Sequence, residues 1–176
     1  MRNCCNEMCQ NSIYDIPYTK EQHEKNKELY EMVLYKALAK VKVRSKDIVS
    51  LIRIGAEIIS ENIECGVDDT SSVYNLIFDC IMFFDEHKRK NVVQELIKLY
   101  NNRNHDYGNI AEKQLMWDGA ISYKVMLEHK VSRFLNLLEK DNKSKNDSIE
   151  DTVKDIVGYS VIYLMWIIKG KKSIKY

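Results

Sequence analysis

Two helical stretches in the C-terminal half of this chain carry residue types able to handle a metal-bound phosphate. One holds Glu128, His129, Lys130 and Arg133, and the other holds Asp151 and Asp155, four residues apart. Carboxylates at i and i+4 leave the same face of a helix, the presentation a hard cation such as Mg2+ takes from protein oxygens. Lys130 and Arg133, at i and i+3, are neighbours on the first stretch, and arginine's planar fork matches phosphate oxygens. A divalent cation carrying a polyphosphate is the chemistry these residues suit.

Each signal has a plainer counterpart. Asp147 with Glu150, or Ser148 with Asp151, forms a capping box, so helix initiation alone accounts for Glu150 or Asp151. Asp155 lies past the first turn, where neither capping nor the helix dipole rewards an acid. At roughly 100° per residue, Ile149, Val153, Ile156, Val157 and Leu164 form an apolar face almost opposite Asp151 and Asp155, which predicts a solvated acid face. That face nevertheless continues into Gly158, Tyr159, Ile162 and Trp166, residues water does not favour. The acid face is therefore expected to be covered further along, with Gly158 admitting a close approach of backbone or ligand. Acids on a covered face need a partner, which Lys130, Arg133 or a divalent cation could supply. A structural ion pair and a metal site stand level at this point.

On the first stretch, Leu127, Val131, Phe134, Leu135 and Leu138 make the buried stripe, with Glu128 at one border and Lys130 at the other. An amphipathic helix with a charged outer face is the plain account of it. His105 beside Asp106 reads as a surface turn.

The elements that must position these residues are helices. A single proline, Pro17, and six glycines leave few of the turn signals that punctuate sheets. The expected fold is all-α, a compact multi-helix bundle, with residues 1–18 as a flexible lead and 19–176 as one domain. Periodicity predicts helices over about 20–40, from a Ser45 cap to near Ile59, over 73–84, 86–102 and 122–138, and from 148 to 168, with a loop over 101–108 where asparagines, Asp106 and Gly108 gather. The third and last helices are apolar on most sides. They belong in the interior or at a subunit contact, so a homo-oligomer is expected.

Composition narrows the partners. With 27 basic against 26 acidic side chains, the broad positive field that duplex nucleic acid requires is missing. The apolar run from Ile156 to Ile168 is shorter than the ~20 residues needed to cross a bilayer, and the lysines after it read as a solvated tail. Five cysteines, an odd number, with no secretory leader pattern, predict reduced thiols and a cytoplasmic protein. Cys4, Cys5 and Cys9 lack the paired spacing of a zinc knuckle.

The series Asp106-Tyr107-Gly108, then Glu128-His129-Lys130 with Arg133 and Asn136-Leu137-Leu138, then Asp147-Ser148-x-Glu150-Asp151-Thr152-x-x-Asp155-x-x-Gly158-Tyr159 resembles the nucleotide modification associated domain 1 family. Its pattern is a DYG loop, a DK-x-x-R-x-x-N-L helix and an E-S-x-x-D-T-x-x-D-x-x-x-Y helix, similar in design to all-α nucleoside triphosphate pyrophosphohydrolases of the MazG and dimeric dUTPase type. The likeness covers roughly residues 90–168. His129 stands where the pattern more often has aspartate, Asp147 where it has glutamate, and of the dense acids of a MazG-type first helix only Glu95 has a counterpart.

The resemblance implies hydrolysis of a (deoxy)nucleoside triphosphate to monophosphate and pyrophosphate, in phage or bacterial nucleotide metabolism. Glu128, Asp151 and Asp155, with Glu95, would hold one or two Mg2+ or Mn2+ ions that activate water and polarise the α-phosphate. Lys130 and Arg133 would neutralise charge developing on the triphosphate. His129, Tyr107 and Tyr159 would contact the substrate, with Tyr107, Tyr159 or Trp166 stacking on its base. The departures at His129 and around Glu95 leave two alternatives, a non-catalytic nucleotide-binding or sequestering protein and a helical interaction module.

Overall fold

A computed structural model describes residues 18–39, 47–107, 110–139 and 148–171, the side chains of 103–107 excepted. Among these residues all regular structure is helical: α1 (Lys20–Ala39), α2 (Ile48–Glu64), α3 (Thr70–Met82), α4 (Glu86–Tyr107), α5 (Ile110–Asp118), α6 (Ala120–Glu139) and α7 (Ile149–Ile168). The N-terminal lead through residue 17, with Cys4, Cys5 and Cys9, lies outside the described residues, as do Asp147 and the lysines beyond Lys171.

Local chemistry sets the helix starts. Thr19 and Gln22 bond reciprocally, backbone N–H to side chain in both directions (2.9 and 3.2 Å), a capping box that launches α1. Asp47 caps α2 by accepting from the Ser50 N–H, and its bonds to Ser50 hold its carboxyl below the usual range. The expected cap, Ser45, lies outside the described residues. Asp69 caps α3 through the N–H groups of Ser71 and Ser72, and Ser148 caps α7 by accepting from the Asp151 N–H at 2.9 Å.

α7 is the axis of the bundle, packed against α1, α3, α4, α5 and α6. Its residues Val153, Ile156, Val157, Val161 and Leu164 are fully buried, as are Leu76, Ile77 and Cys80 of α3. The two helices whose apolar surfaces called for an interior or a subunit contact thus find an interior within one chain. Contacts fix the directions: Tyr123 meets Ser160 and Lys130 meets Asp155, so α6 runs antiparallel to α7. Lys88 meets Glu150 and Glu95 meets Lys154, so α4 runs parallel to it.

The expected loop over 101–108 is helical as far as Tyr107. Turn preferences of asparagine and aspartate amount to a few tenths of a kcal/mol per residue in a helix, too little to end one already anchored by Leu96, Ile97 and Tyr100, all buried. α5 is an element the periodicity did not separate. It ends at Gly119, whose φ of 69° is open to glycine at no steric cost, and α6 starts directly after. No described helix is long and apolar enough to cross a membrane.

Candidate functional site

A cavity of about 890 Å³ opens between the second half of α4, α5, the start of α6 and the middle of α7, within the size range of small-molecule sites. Its wall is mainly apolar and aromatic. Tyr30 and Tyr100 stack at 4.0 Å and 16° on the α1–α4 side, Tyr123 and Met126 come from α6, and Gly158, Tyr159 and Ile162 come from α7. Gln114 and Asp118 of α5 and Lys154 and Asp155 of α7 supply most of its polarity.

The acid face of α7 is where the helix meets this cavity. The residues that follow Asp155 along it, Gly158, Tyr159 and Ile162, form cavity wall, while Trp166, one turn further, is buried. At Gly158 an added Cβ would meet nothing within 4 Å, so open space, and no neighbouring backbone, faces the missing side chain.

Asp155 Oδ2 accepts from Lys130 Nζ at 2.8 Å, and both side chains are largely withdrawn from water, 22% and 15% exposed. One residue earlier, Lys154 Nζ lies 2.7 Å from Glu95 Oε2 and 3.8 Å from Asp151 Oδ1. Carboxylates of α4 and α7 therefore converge on a single ammonium. The Lys154 side chain is mostly covered, whereas Glu95 and Asp151 are mostly exposed, so water weakens these two contacts more than the Lys130–Asp155 bond. Arg133, half-buried, stands one turn beyond Lys130 on α6, and His129 is exposed.

Glu128 is placed differently. Two residues from Lys130 is about 160° round the helix, and Glu128 accordingly pairs with Lys124 at 2.9 Å, on the side where Lys124 also reaches Glu64 of α2 at 3.0 Å. The bonds to Glu128 and then Glu64 raise the Lys124 pKa. The geometry thus forms two clusters on α7, Asp155 with Lys130 of α6 and Asp151 and Lys154 with Glu95 of α4, and leaves Glu128 with α2. Tyr107 ends α4, its side chain outside what is described.

Tyr30, Tyr100, Tyr123, Gln114 and Asp118 enter the site without a sequence signal of function. The first two read as core residues of amphipathic helices, and core residues they are, with one edge on the cavity. Tyr123 reaches Ser160 Oγ at 2.8 Å. Ser160 spends its own proton on the Ile156 carbonyl at 2.7 Å, so Tyr123 is the donor. Burial raises the Tyr123 phenol well above its ordinary pKa. For α5, Gly119 as a helix stop was the available signal, its apolar residues not recurring at helical spacing.

Among the described residues no three His, Cys, Asp or Glu side chains gather closely enough to hold a metal by themselves. The site can instead seat an apolar or aromatic body in the cavity and meet a charged extension of it at the Lys130, Asp155 and Lys154 end. The chain matches no protein-family model, no curated protein and no solved structure.

Proposed function

We propose that this protein binds a (deoxy)nucleoside triphosphate and hydrolyses it, with Mg2+ or Mn2+, to the monophosphate and pyrophosphate. The observation that carries the proposal is the charged row Lys130–Asp155 and Glu95–Lys154–Asp151, of which Asp155 and Lys154 line a roomy, aromatic-walled cavity. Nucleotides have that polarity: a flat apolar base and a multiply charged tail.

The donor set fits a cation that arrives with its substrate. Mg2+ keeps several waters and takes one or two protein carboxylates together with phosphate oxygens, and Glu95 and Asp151 already converge on one positive charge, the Lys154 ammonium. Glu95 and Asp151, the two carboxylates that share that ammonium, would hold the metal together with the substrate's phosphate oxygens, while Asp155 positions Lys130; the metal would supply charge neutralisation at the α-phosphate and a more acidic bound water. Glu128, engaged with Lys124 and α2, has no part in this set. Lys130 and Arg133 neutralise charge on the pyrophosphate as it leaves. Water adds to the α-phosphorus, the α–β bridging P–O bond breaks with its electron pair going to pyrophosphate, and the water's proton passes to solvent through a carboxylate of the row. The cavity keeps the base oriented while this happens.

One observation favours a second reading. Every carboxylate of the row has an ammonium within 4.0 Å, an arrangement sufficient to bind a nucleotide without turning it over. Self-association belongs to either reading, because Ile110, Ile121 and Val125, which line the cavity mouth, are 38%, 53% and 56% exposed. A panel of common NTPs and dNTPs with Mg2+ or Mn2+, followed by pyrophosphate release, separates the alternatives. Hydrolysis is expected for at least one nucleotide and is expected to fall by about a hundredfold or more in Asp155→Asn. Nucleotide-dependent thermal stabilisation with no release selects the binding protein, and neither response excludes both.

A further inference from the structure

We propose that the Lys154 ammonium is a built-in counter-ion that keeps the seat of the divalent cation, between Glu95 and Asp151, and moves onto the phosphate chain when it yields that seat. This rests on the nucleotide reading above and concerns what the charged row does before and after the ligand arrives.

Two helices build the seat. Lys154 Nζ donates to Glu95 Oε2 of α4 at 2.7 Å and stands 3.8 Å from Asp151 Oδ1, one turn back on α7. Carboxylate oxygens from two elements thus close on one point, and that point already holds a cation. Two carboxylates against one ammonium leave a negative charge over, which a single lysine cannot cancel and a doubly charged ion does. Glu95 and Asp151 are 58% and 64% exposed, so water can complete the shell of an ion that takes one or two protein carboxylates.

Fold stability does not account for the trio. α4 is already joined to α7 by Lys88 and Glu150 at 3.1 Å, and its Leu96, Ile97 and Tyr100 are buried. Ion pairs whose acids stand in water add little to that. The lysine is nevertheless placed unlike a surface lysine, because its side chain is only 18% exposed and lines the cavity beside Asp155. Its four-carbon stem turns about several single bonds, so the ammonium can change partners while the stem keeps its place in the wall. Released from Glu95 and Asp151, it meets phosphate oxygens in the cavity.

The consequence is coupling. A cation arriving alone must push out a resident charge that has no anion to go to, whereas a polyphosphate arriving with the cation receives the displaced ammonium. Each ligand therefore strengthens the other by the same factor, and the seat discriminates against the bare ion.

The test uses Mn2+ alone and inorganic tripolyphosphate alone on the full chain. The first is followed by the paramagnetic resonance signal of unbound Mn2+ and the second by titration calorimetry. Lys154→Met, similar in length and without the charge, is expected to bind Mn2+ at least about tenfold more tightly than the wild type and tripolyphosphate about tenfold more weakly. A lysine with a merely structural role would not move the two affinities in opposite directions. Adding Glu95→Gln to Lys154→Met is expected to abolish the Mn2+ gain, which locates it at this seat. Lys154→Gln is expected to repeat both changes, so that a packing fault peculiar to methionine does not decide the outcome. Absence of the Mn2+ gain in both variants, a gain that survives Glu95→Gln, or a wild-type tripolyphosphate affinity that Lys154→Met leaves unchanged overturns the inference and leaves the nucleotide reading standing. A wild type that takes neither tripolyphosphate nor any nucleotide, with the Mn2+ gain intact, removes the nucleotide reading and keeps the cation seat.

Discussion

At the residue scale the most telling position is Gly158. Glycine inside a helix costs about 1 kcal/mol relative to alanine, and here a Cβ would meet nothing within 4 Å because the position faces the cavity. Gly158→Ala is therefore expected to stabilise the fold by up to about 1 kcal/mol, seen as a higher melting temperature, whereas Gly158→Phe is expected to keep the helix and abolish the nucleotide-induced shift by filling the cavity. If Gly158→Phe binds nucleotide like the wild type, the cavity is not the binding site. Lys130 makes a companion case. Lys130→Met leaves the Asp155 carboxylate short of its 2.8 Å partner and is expected to cost about 1–3 kcal/mol in urea unfolding, less than the roughly 3–5 kcal/mol of a fully buried pair, because water still reaches Asp155.

At the element scale, α5 depends on its neighbours, since a nine-residue helix is too short to persist alone. Leu115 anchors one side of it, and Glu112 ties the other to α1 and α7, accepting from Asn26 at 3.1 Å and from Lys169, which also donates to Asn26. Glu112→Ala is expected to lower hydrogen-exchange protection across 110–118 well before α3 responds; uniform loss across the chain would show that α5 is no separate unit. The seam between α6 and α7 gives a pH signature. Tyr123 stacks on Tyr163 at 4.2 Å, and burial, with Asp68 adding to it, pushes the Tyr163 phenol up to about 12. An unfolded tyrosine ionises near pH 10 while the folded one holds its proton, so this contribution is complete below pH 10 and is lost as pH rises toward 12. Tyr163→Phe is expected to flatten part of that alkaline decline, with the buried Tyr123 and Cys80 contributing to what remains.

The same seam shows what the sequence could reveal. Helices α1, α2, α3, α6 and α7 were legible because their apolar residues recur at helical spacing, and the Ser148 cap of α7 because capping is local chemistry, whereas α2 is capped by Asp47 and not by the expected Ser45. The end of α4 and the whole of α5 were not, because Asn101, Asn102 and Asn104 carry turn preferences that long-range packing of Tyr100 and Leu96 overrides. For the site, one-dimensional spacing correctly put Asp151 and Asp155 on one side of α7 but could not say that Glu128 turns toward α2 and Lys124. Nor could it reveal a cavity, which depends on how α4, α5, α6 and α7 meet.

At the scale of the whole molecule the question is what covers the cavity mouth. The two helices that first suggested a subunit contact are internal, so any self-association must use other surface. Ile121 and Val125 lie four residues apart on α6, each more than half exposed, and Ile110 and Trp117 of α5 are 38% and 39% exposed among the described residues. Isolated exposed apolar side chains are common, but four on adjoining helices, three of them lining the cavity, make a patch of the kind that marks an interface. A second copy placing the same helices there would shield both mouths and exclude water from the charged row, strengthening its contacts with a polyphosphate. Sedimentation equilibrium of the full chain is expected to give a dimer. Val125→Glu with Ile121→Lys is expected to yield a folded monomer, because neither side chain supports the core, and to weaken nucleotide binding at least tenfold. A wild-type monomer that binds nucleotide at full strength would show that each cavity is complete within one chain and that the exposed patch serves another contact.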